Sequence, residues 1–158
     1  MATEQPILVA EDSDDYILLL QYAWKKARTT IPLIHARDGS EAITFLKQAR
    51  SGSGTQQMPK LVLTDIRMPR VSGFEVLEFL QREADFQQIV AIAWSSFTES
   101  EDMSRAYRAG ARCYLPKPST DAGWTALVQR ILNYYHLGIA IAQAPNMENG
   151  QTRRPGNT

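Results

Sequence analysis

Acidic side chains follow two short apolar segments of the sequence. Asp65 comes directly after the run 61–64, and Glu11 and Asp12 come directly after the run 7–10. A carboxylate at the end of a buried strand can act as a nucleophile or as a metal ligand. Because ligands of open α/β sheets bind outside the carboxyl ends of the strands, these three acids are candidates for one site.

Polar side chains also follow the last two apolar segments. Ser95 comes after the run 89–94, and Lys117 follows the run 112–115 between two prolines. An ammonium group can neutralise an anion, and a hydroxyl group can donate a hydrogen bond to one of its oxygens. Together with the acids, these groups would suit the transfer of a phosphoryl group to Asp65 beside a divalent cation.

The acids themselves indicate a metal ion. Three carboxylates packed together would repel one another and raise each other's pKa unless a cation lay among them. A site with few carboxylates and several waters suits Mg²⁺. The alternative is that the acidic run 11–15 only caps a helix, where acids are favourable at the N-terminus. Ser13 or Asp14 is expected to cap, but a cap does not explain two acids directly on the strand end.

Five apolar runs alternate with longer segments of helical spacing. We predict strands at 7–10, 33–36, 61–64, 89–94 and 112–115, and helices at roughly 14–28, 39–50, 73–84, 100–109 and 121–137. Most of the runs are apolar throughout, as in strands buried on both faces of a parallel sheet. The sequence therefore predicts an α/β fold with a doubly wound five-stranded parallel sheet, for which the strand order 2-1-3-4-5 places the first and third strands side by side.

Composition limits the classes to which the protein could belong. The 158 residues include 17 lysines and arginines and 17 aspartates and glutamates, so the formal net charge is zero. This balance argues against a nucleic-acid partner and against a polybasic membrane patch. Cys113 is the single cysteine, which excludes an intrachain disulfide and a cysteine-based zinc cluster. We expect Cys113 to fill apolar space in or beside a strand.

The lack of long apolar runs and the polar C-terminal segment predict one domain in the cytoplasm. No run approaches the ~20 apolar residues of a membrane span, and no signal peptide is recognisable. From about residue 142 the sequence is polar and lacks periodicity, which is typical of disorder. We therefore predict a domain at 6–137, a flexible tail at 138–158 and no output domain.

The joint spacing of these segments resembles that of receiver domains of bacterial two-component response regulators. The resemblance covers about residues 6–137 and rests on the acids after the first strand, the segment 63–69 with Gly73, the segments 94–96 and 110–111, Tyr114, and Lys117-Pro118. It implies a flavodoxin-like fold and phosphotransfer from a histidine kinase. The resemblance implies a phosphoacceptor signalling protein that catalyses only its own phosphorylation and its own dephosphorylation, and that is not otherwise an enzyme.

The resemblance also implies the acceptor and the metal ligands. Asp65 would be the phosphoacceptor. Glu11, Asp12, Asp65 and the backbone carbonyl of Arg67 would bind Mg²⁺. Glu11 departs from the aspartate that is commoner in the family, and its extra methylene could alter a water-mediated contact with the metal.

Three further residues take part in the implied switch. Lys117 would bind the phosphoryl group, and Ser95, where threonine is commoner, would be the switch hydroxyl. Tyr114 would turn inward after phosphorylation. Trp94 is bulkier than the aliphatic residue usual before the switch hydroxyl. A cis peptide bond before Pro118 is also expected from the family, although X-Pro bonds in folded proteins are cis in only about 5–6% of cases.

A narrower resemblance concerns the stand-alone receivers that partner bacterial phytochrome histidine kinases. It rests on the long loop at 51–59, the segment 102–111 and the segment from Pro118 to Tyr135. The kinase partner implied by it is a bacterial phytochrome.

The helical patterns suggest two interaction surfaces. In the first helix a helical wheel predicts one apolar face, formed by Tyr16, Leu19, Leu20, Ala23, Trp24 and Ala27. Leu18 and Tyr22 fall on the polar side, where they could contact a partner helix. The last helix has a wide apolar stripe, formed by Trp124, Leu127, Val128, Ile131, Tyr134 and Tyr135. That stripe predicts a homodimer through the fourth helix, fifth strand and fifth helix, unless all of it is core.

Three other functions compete with phosphotransfer. A pseudo-receiver would have the same fold and serve only as an interaction module. An aspartate-nucleophile phosphatase would have a second aspartate two residues after the first, but this sequence has Arg67 there. A flavodoxin-like nucleotide-binding protein would have a glycine-rich loop after the first strand, where this sequence has acids.

Overall fold

Five parallel strands form one sheet in the order 2-1-3-4-5, counted along the chain, as predicted. The structure is a computed structural model that describes residues 4–52 and 54–138. The strands are β1 (Ile7–Ala10), β2 (Leu33–Ala36), β3 (Leu61–Asp65), β4 (Val90–Ser95) and β5 (Cys113–Pro116). Each observed strand lies within one residue of its predicted bounds, because short uninterrupted apolar runs are typical of strands covered on both faces.

Helices follow each strand. They are α1 (Asp14–Lys26), α2 (Gly39–Ser51), α3 (Gly73–Arg82), α4 (Ser100–Arg108) and α5 (Asp121–Leu137), with a short 3-10 helix at Ala84–Phe86. Side-chain oxygens accept a hydrogen bond from the first turn of four of them, and these caps are Ser13, Asp38, Ser72 and Thr120. Helix α4 begins after Glu99 with no side-chain cap.

The sheet separates two apolar cores. On one face α1 and α5 cover strand residues such as Val9, Leu63 and Trp94. On the other face α2, α3 and α4 cover residues such as Val62 and Ala93. Successive side chains of a strand point to opposite faces, so each central strand contributes to both cores. Cys113 is buried in the first of them, as predicted.

The predicted apolar face of α1 is partly wrong. Ile17 is buried, whereas Leu19 is 46% exposed and Ala27 lies outside the core. The helix docks through a narrower stripe than the wheel suggested, since its rotation is set by the sheet and by α5 rather than by its own apolar content. Leu18 and Tyr22 are exposed, at 62% and 68%, as predicted.

The wide stripe of α5 is core within one chain. Trp124, Leu127, Val128, Ile131 and Tyr135 are all buried against the sheet and α1, and Tyr134 is half-buried. The stripe appeared too broad for one sheet face because it meets two elements, the sheet and α1. It therefore gives no support to the predicted homodimer.

Two other expectations can be compared with the described residues. The peptide bond between Lys117 and Pro118 is trans, so the predicted cis bond is wrong; trans is the isomer that an isolated X-Pro bond prefers by about 0.5–1 kcal/mol. Of the predicted tail at 138–158, only Gly138 lies within the described residues. Among those residues, every helix is too short or too polar to span a bilayer.

Candidate functional site

The carboxyl ends of β1 and β3 bring the three predicted acids together. Parallel pairing aligns Ala10 with Thr64, so the residues that follow these two positions are neighbours. Carboxylate oxygens of Glu11, Asp12 and Asp65 lie within 4.8 Å of one another. Glu11 and Asp65 are buried, and Asp12 is exposed. The cluster thus opens to solvent through one of its members.

Asp65 is held with its two carboxylate oxygens in different environments. Oδ1 accepts a hydrogen bond from the backbone N–H of Ile66 at 2.8 Å. Oδ2 lies 3.3 Å from Nζ of Lys117. The loop after Asp65 folds back closely, and a Cβ atom at Gly73 would lie only 1.9 Å from the carbonyl oxygen of Asp65. Glycine at 73 is therefore required for this return of the chain.

Glu11 is the most enclosed acid of the cluster. Its Oε1 accepts a hydrogen bond from the backbone N–H of Ser13 at 3.1 Å. Its Oε2 forms an ion pair with Nζ of Lys117 at 2.8 Å. His35 Nε2 is 2.8 Å from the backbone carbonyl of Glu11, and it must be the donor because a carbonyl oxygen only accepts.

Burial determines the electrostatics of the cluster. Removal from water raises the pKa of Glu11 to about 7, with the Asp65 charge adding to the increase and Lys117 opposing it. Removal from water also raises the pKa of Asp65, again against the opposing charge of Lys117. One ammonium group thus does not fully compensate two buried carboxylates.

The donor set fits a divalent cation with oxygen ligands. The acids offer one carboxylate oxygen each within a small volume. The raised pKa of both buried acids indicates that further positive charge would stabilise their ionised forms. Few carboxylates beside solvent suit Mg²⁺, which retains several waters.

Ser95 and Tyr114 lie near the site, and both contact the segment that precedes α4. Ser95 is fully buried, and its Oγ accepts a hydrogen bond from the backbone N–H of Phe97 at 3.0 Å. Tyr114 is already buried, and its hydroxyl donates to the backbone carbonyl of Phe97 at 2.5 Å. The inward turn of Tyr114 after phosphorylation and the switch role of Ser95 stay predictions.

Arg67 connects the loop after β3 to α4. Its guanidinium lies 2.7 Å from the Asp102 carboxylate and 5.2 Å from the ring of Phe97. Asp102 is one of two buried residues of α4. These are side-chain contacts, and the metal-binding role of the Arg67 carbonyl stays a prediction.

Two residues of the site were missed by sequence reasoning. Tyr16 covers Lys117, with its ring centroid 4.1 Å from Nζ, and its hydroxyl is 3.0 Å from Oγ of Ser96. His35 contacts Glu11 across two strands. Tyr16 was assigned only to an apolar helix face, and no motif of the sequence connects it with a lysine 101 positions away.

Comparison with known proteins agrees with this geometry. The sequence profile of the response regulator receiver domain matches residues 7–147. The chain belongs to the response regulator receiver family. Its five-stranded sheet and acidic cluster are thus those of a two-component signalling protein, and the family resemblance predicted from sequence is confirmed.

Several relatives are of similar length. The probable methanogenesis regulatory protein FilR2 of Methanothrix harundinacea is 30% identical over 129 residues, which are 82% of this chain and 82% of that protein. Response regulator Rcp1 of Synechocystis sp. is 29% identical over 138 residues, 87% of this chain and 93% of Rcp1.

Solved structures extend the comparison. The Mn²⁺-bound form of Rcp1 has a TM-score of 0.71 at 28% identity, over 83% of this chain and 94% of that one. The bacteriophytochrome response regulator AtBRR has a TM-score of 0.66 at 27% identity, over 81% of this chain and 92% of that one. The predicted resemblance to phytochrome-associated response regulators is confirmed at the level of the relatives.

Proposed function

We propose that the protein accepts a phosphoryl group from a sensor histidine kinase on Asp65 in a Mg²⁺-dependent reaction. The observation that supports this most directly is the arrangement of Asp65 itself. One of its oxygens is held by a backbone N–H, and the other faces the ammonium group of Lys117 beside two further acids. That arrangement provides a nucleophile, a fixed positive charge and a set of metal ligands in one place.

In the proposed reaction, Oδ2 of Asp65 is the attacking atom. It forms the bond to phosphorus while the bond from phosphorus to the phosphohistidine nitrogen breaks, and the electron pair of that bond returns to the imidazole. The N–H of Ile66 keeps Oδ1 turned away from the reaction. Lys117 Nζ, 3.3 Å from Oδ2, would then pair with an oxygen of the transferred group.

Glu11, Asp12, Asp65 and the Arg67 carbonyl are the proposed ligands of Mg²⁺. When bound, the ion would neutralise charge on the phosphoryl oxygens. Ionisation of the two buried acids is a condition for this, because protonated carboxyl groups are poor ligands.

We infer that the signal leaves the site through Ser95. A phosphoryl group on Asp65 adds about −1.5 to −2 charges and three acceptor oxygens. The hydroxyl of Ser95 would donate to one of these oxygens while its oxygen still accepts from the N–H of Phe97, so a movement of Ser95 would be passed to Phe97. Because Phe97 also accepts from Tyr114, the segment before α4 would shift with it.

The proposed kinase partner is a bacterial phytochrome, by analogy with AtBRR. Leu18 and Tyr22, which lie one turn apart and are exposed on α1, are the proposed contact with a helix of the kinase. We further propose that the protein acts in the cytoplasm, where ATP supplies the kinase. Replacing Leu18 and Tyr22 by serine should slow phosphotransfer from the kinase while leaving labelling by a small phosphodonor unchanged.

A homodimer through α4, β5 and α5 is a second proposal about partners. Two exposed aromatic residues, Phe97 just before α4 and Tyr107 within it, would contribute to such an interface. Light scattering with and without beryllofluoride, a phosphoryl mimic, would measure the mass. A monomeric mass in both states would reject the dimer.

Labelling of variants tests the phosphoacceptor. Asp65→Asn should abolish incorporation of phosphate from a small phosphodonor in the presence of Mg²⁺. The control Asp38→Asn replaces an acid that caps α2 and does not belong to the cluster, so labelling should persist. Continued labelling of Asp65→Asn would contradict the assignment. A wild-type protein that binds no beryllofluoride with Mg²⁺ would favour the pseudo-receiver instead.

A further inference from the structure

The ammonium group of Lys117 lies beneath aromatic rings as well as beside acids. Its Nζ is 4.1 Å from the ring centroid of Tyr16 and 5.1 Å from the ring centroid of Trp94. The side chain of Lys117 is only 4% exposed. A cation over the face of an aromatic ring is attracted by the ring quadrupole, most strongly where water is excluded. The rings therefore stabilise the buried ammonium group in addition to the carboxylates.

Tyr16 itself is held at several points. Its ring lies 6.2 Å from the ring of Trp94 and 6.4 Å from that of Trp124, between centroids. Its hydroxyl is 3.0 Å from Oγ of Ser96, directly after β4. Tyr16 thus connects the first turn of α1 with the residue after β4, and its ring contacts Lys117.

We propose that Tyr16 is a positioning residue that keeps the Lys117 ammonium directed at the phosphoryl group on Asp65. This inference rests on the proposed phosphoacceptor function. A lysine has a flexible four-carbon stem and a strongly hydrated head. Without the ring of Tyr16, the ammonium group gains access to water and to other rotamers, and both changes weaken its pairing with a phosphoryl oxygen.

The proposal separates two binding events. Mg²⁺ alone is bound by oxygen atoms, none of which belongs to Tyr16 or Lys117. A phosphoryl mimic on Asp65 additionally needs the ammonium group. Tyr16 should therefore affect the second event and not the first, whereas a purely structural role would affect both or neither.

Beryllofluoride affinity at saturating Mg²⁺, compared with Mg²⁺ affinity alone, tests this. Tyr16→Leu should weaken beryllofluoride binding about two- to thirtyfold, the range expected for loss of a cation–π contact. Its Mg²⁺ affinity should stay within about twofold of wild type. Tyr16→Phe keeps the ring and loses only the bond to Ser96, so it should recover most of the beryllofluoride affinity.

A matched control is Phe45→Leu, which removes a half-buried aromatic ring from α2 on the other face of the sheet. It should leave both affinities unchanged. Unaltered beryllofluoride binding by Tyr16→Leu would overturn the proposal, as would an equal loss in Phe45→Leu. If Tyr16→Leu does not fold, a Tyr16→Phe variant as weak as Lys117→Ala would also overturn it. A wild-type protein that binds Mg²⁺ but not beryllofluoride would instead reject the phosphoacceptor function.

Discussion

Helices α4 and α5 lie on opposite faces of the sheet and are attached to it very differently. Helix α5 buries five large side chains, namely Trp124, Leu127, Val128, Ile131 and Tyr135. Helix α4 buries only Ala106 and Asp102. Thr120 caps the N-terminus of α5 with its hydroxyl, whereas α4 has no side-chain cap.

The difference indicates which helix can respond to a phosphoryl group. Fully burying a large apolar side chain stabilises a fold by about 1.5–3 kcal/mol, so moving α5 would cost several such contributions. Helix α4 buries little apolar surface. Its polar contacts include the Arg67–Asp102 ion pair, and the segment before it is held by the bonds of Phe97. A charge change at Asp65 can compete with those contacts, and we therefore expect the response in α4.

The largest expected effect concerns core packing. Ile131→Ala on α5 should lower the free energy of unfolding by about 2–5 kcal/mol, because a buried isoleucine leaves a cavity. Met103→Ala on α4 should cost less than about 1 kcal/mol, because Met103 is only partly buried. Urea unfolding of both variants measures the difference. Similar losses in the two helices would contradict the comparison.

The next prediction concerns Mg²⁺ binding by Glu11, which follows β1. This strand leads into α1, on the same face of the sheet as α5. The pKa of Glu11, raised by burial from 4.5 to about 7, implies a proton that must leave before Glu11 can bind metal. Mg²⁺ affinity should therefore rise about tenfold between pH 6 and pH 8. Fluorescence of the buried Trp94, paired with Asp65 in the sheet, can follow the titration.

The Glu11→Gln variant is the control for that prediction, and its affinity should lose this pH dependence. In the metal-free protein the same shift has a consequence for stability. Between pH 4.5 and 7 the folded state holds a proton that the unfolded chain has lost, so stability falls as pH rises through this range. If the Mg²⁺ affinity of Glu11→Gln depended on pH as strongly as that of the wild type, Glu11 would be excluded as the source of the pH dependence.

A smaller effect compares two buried hydroxyl groups. Tyr114→Phe removes the bond to Phe97, and Tyr135→Phe removes a bond of 2.6 Å to the carbonyl of Gln5. Each should lower the free energy of unfolding by about 1 kcal/mol. The two variants should differ in amide hydrogen exchange, since Tyr114→Phe should accelerate exchange in 97–108 and Tyr135→Phe should not. Equal acceleration in α5 after Tyr135→Phe would argue against a special mobility of α4.

The smallest effect concerns the ion pair of Arg67. Arg67→Met leaves Asp102 without its partner, and amide exchange in α4 should accelerate about two- to fivefold, as expected for an ion pair in which the cation is half-exposed. Arg70→Met is the control, since Arg70 pairs with Asp38 on the α2 side. Exchange in α4 should be unchanged in the control. Unchanged α4 exchange in Arg67→Met would show that the pair does not anchor the helix.

The sequence predicted the elements and the acidic cluster well for a common reason. Uninterrupted apolar runs separated by helical segments predict buried parallel strands, and parallel strands bring their carboxyl ends to one edge. Glu11, Asp12 and Asp65 directly follow such runs or end them, so their meeting did not depend on side-chain detail.

Prediction was less successful wherever two elements had to dock. The wheel of α1 assigned Leu19 to the core in place of Ile17, and the stripe of α5 suggested a second chain. Each error concerns how a helix is rotated against its neighbours. The residue pattern of a single segment carries no information about that rotation.

The sequence by itself thus determined the order of strands and helices, the acids at the strand ends and the lysine between two prolines. These follow from local periodicity and chain direction. Only the tertiary structure decided that Tyr16 covers Lys117, that His35 supports Glu11 and that α4 is weakly attached. Those contacts join residues far apart in the chain, and they depend on packing of rotamers between elements rather than on any local pattern.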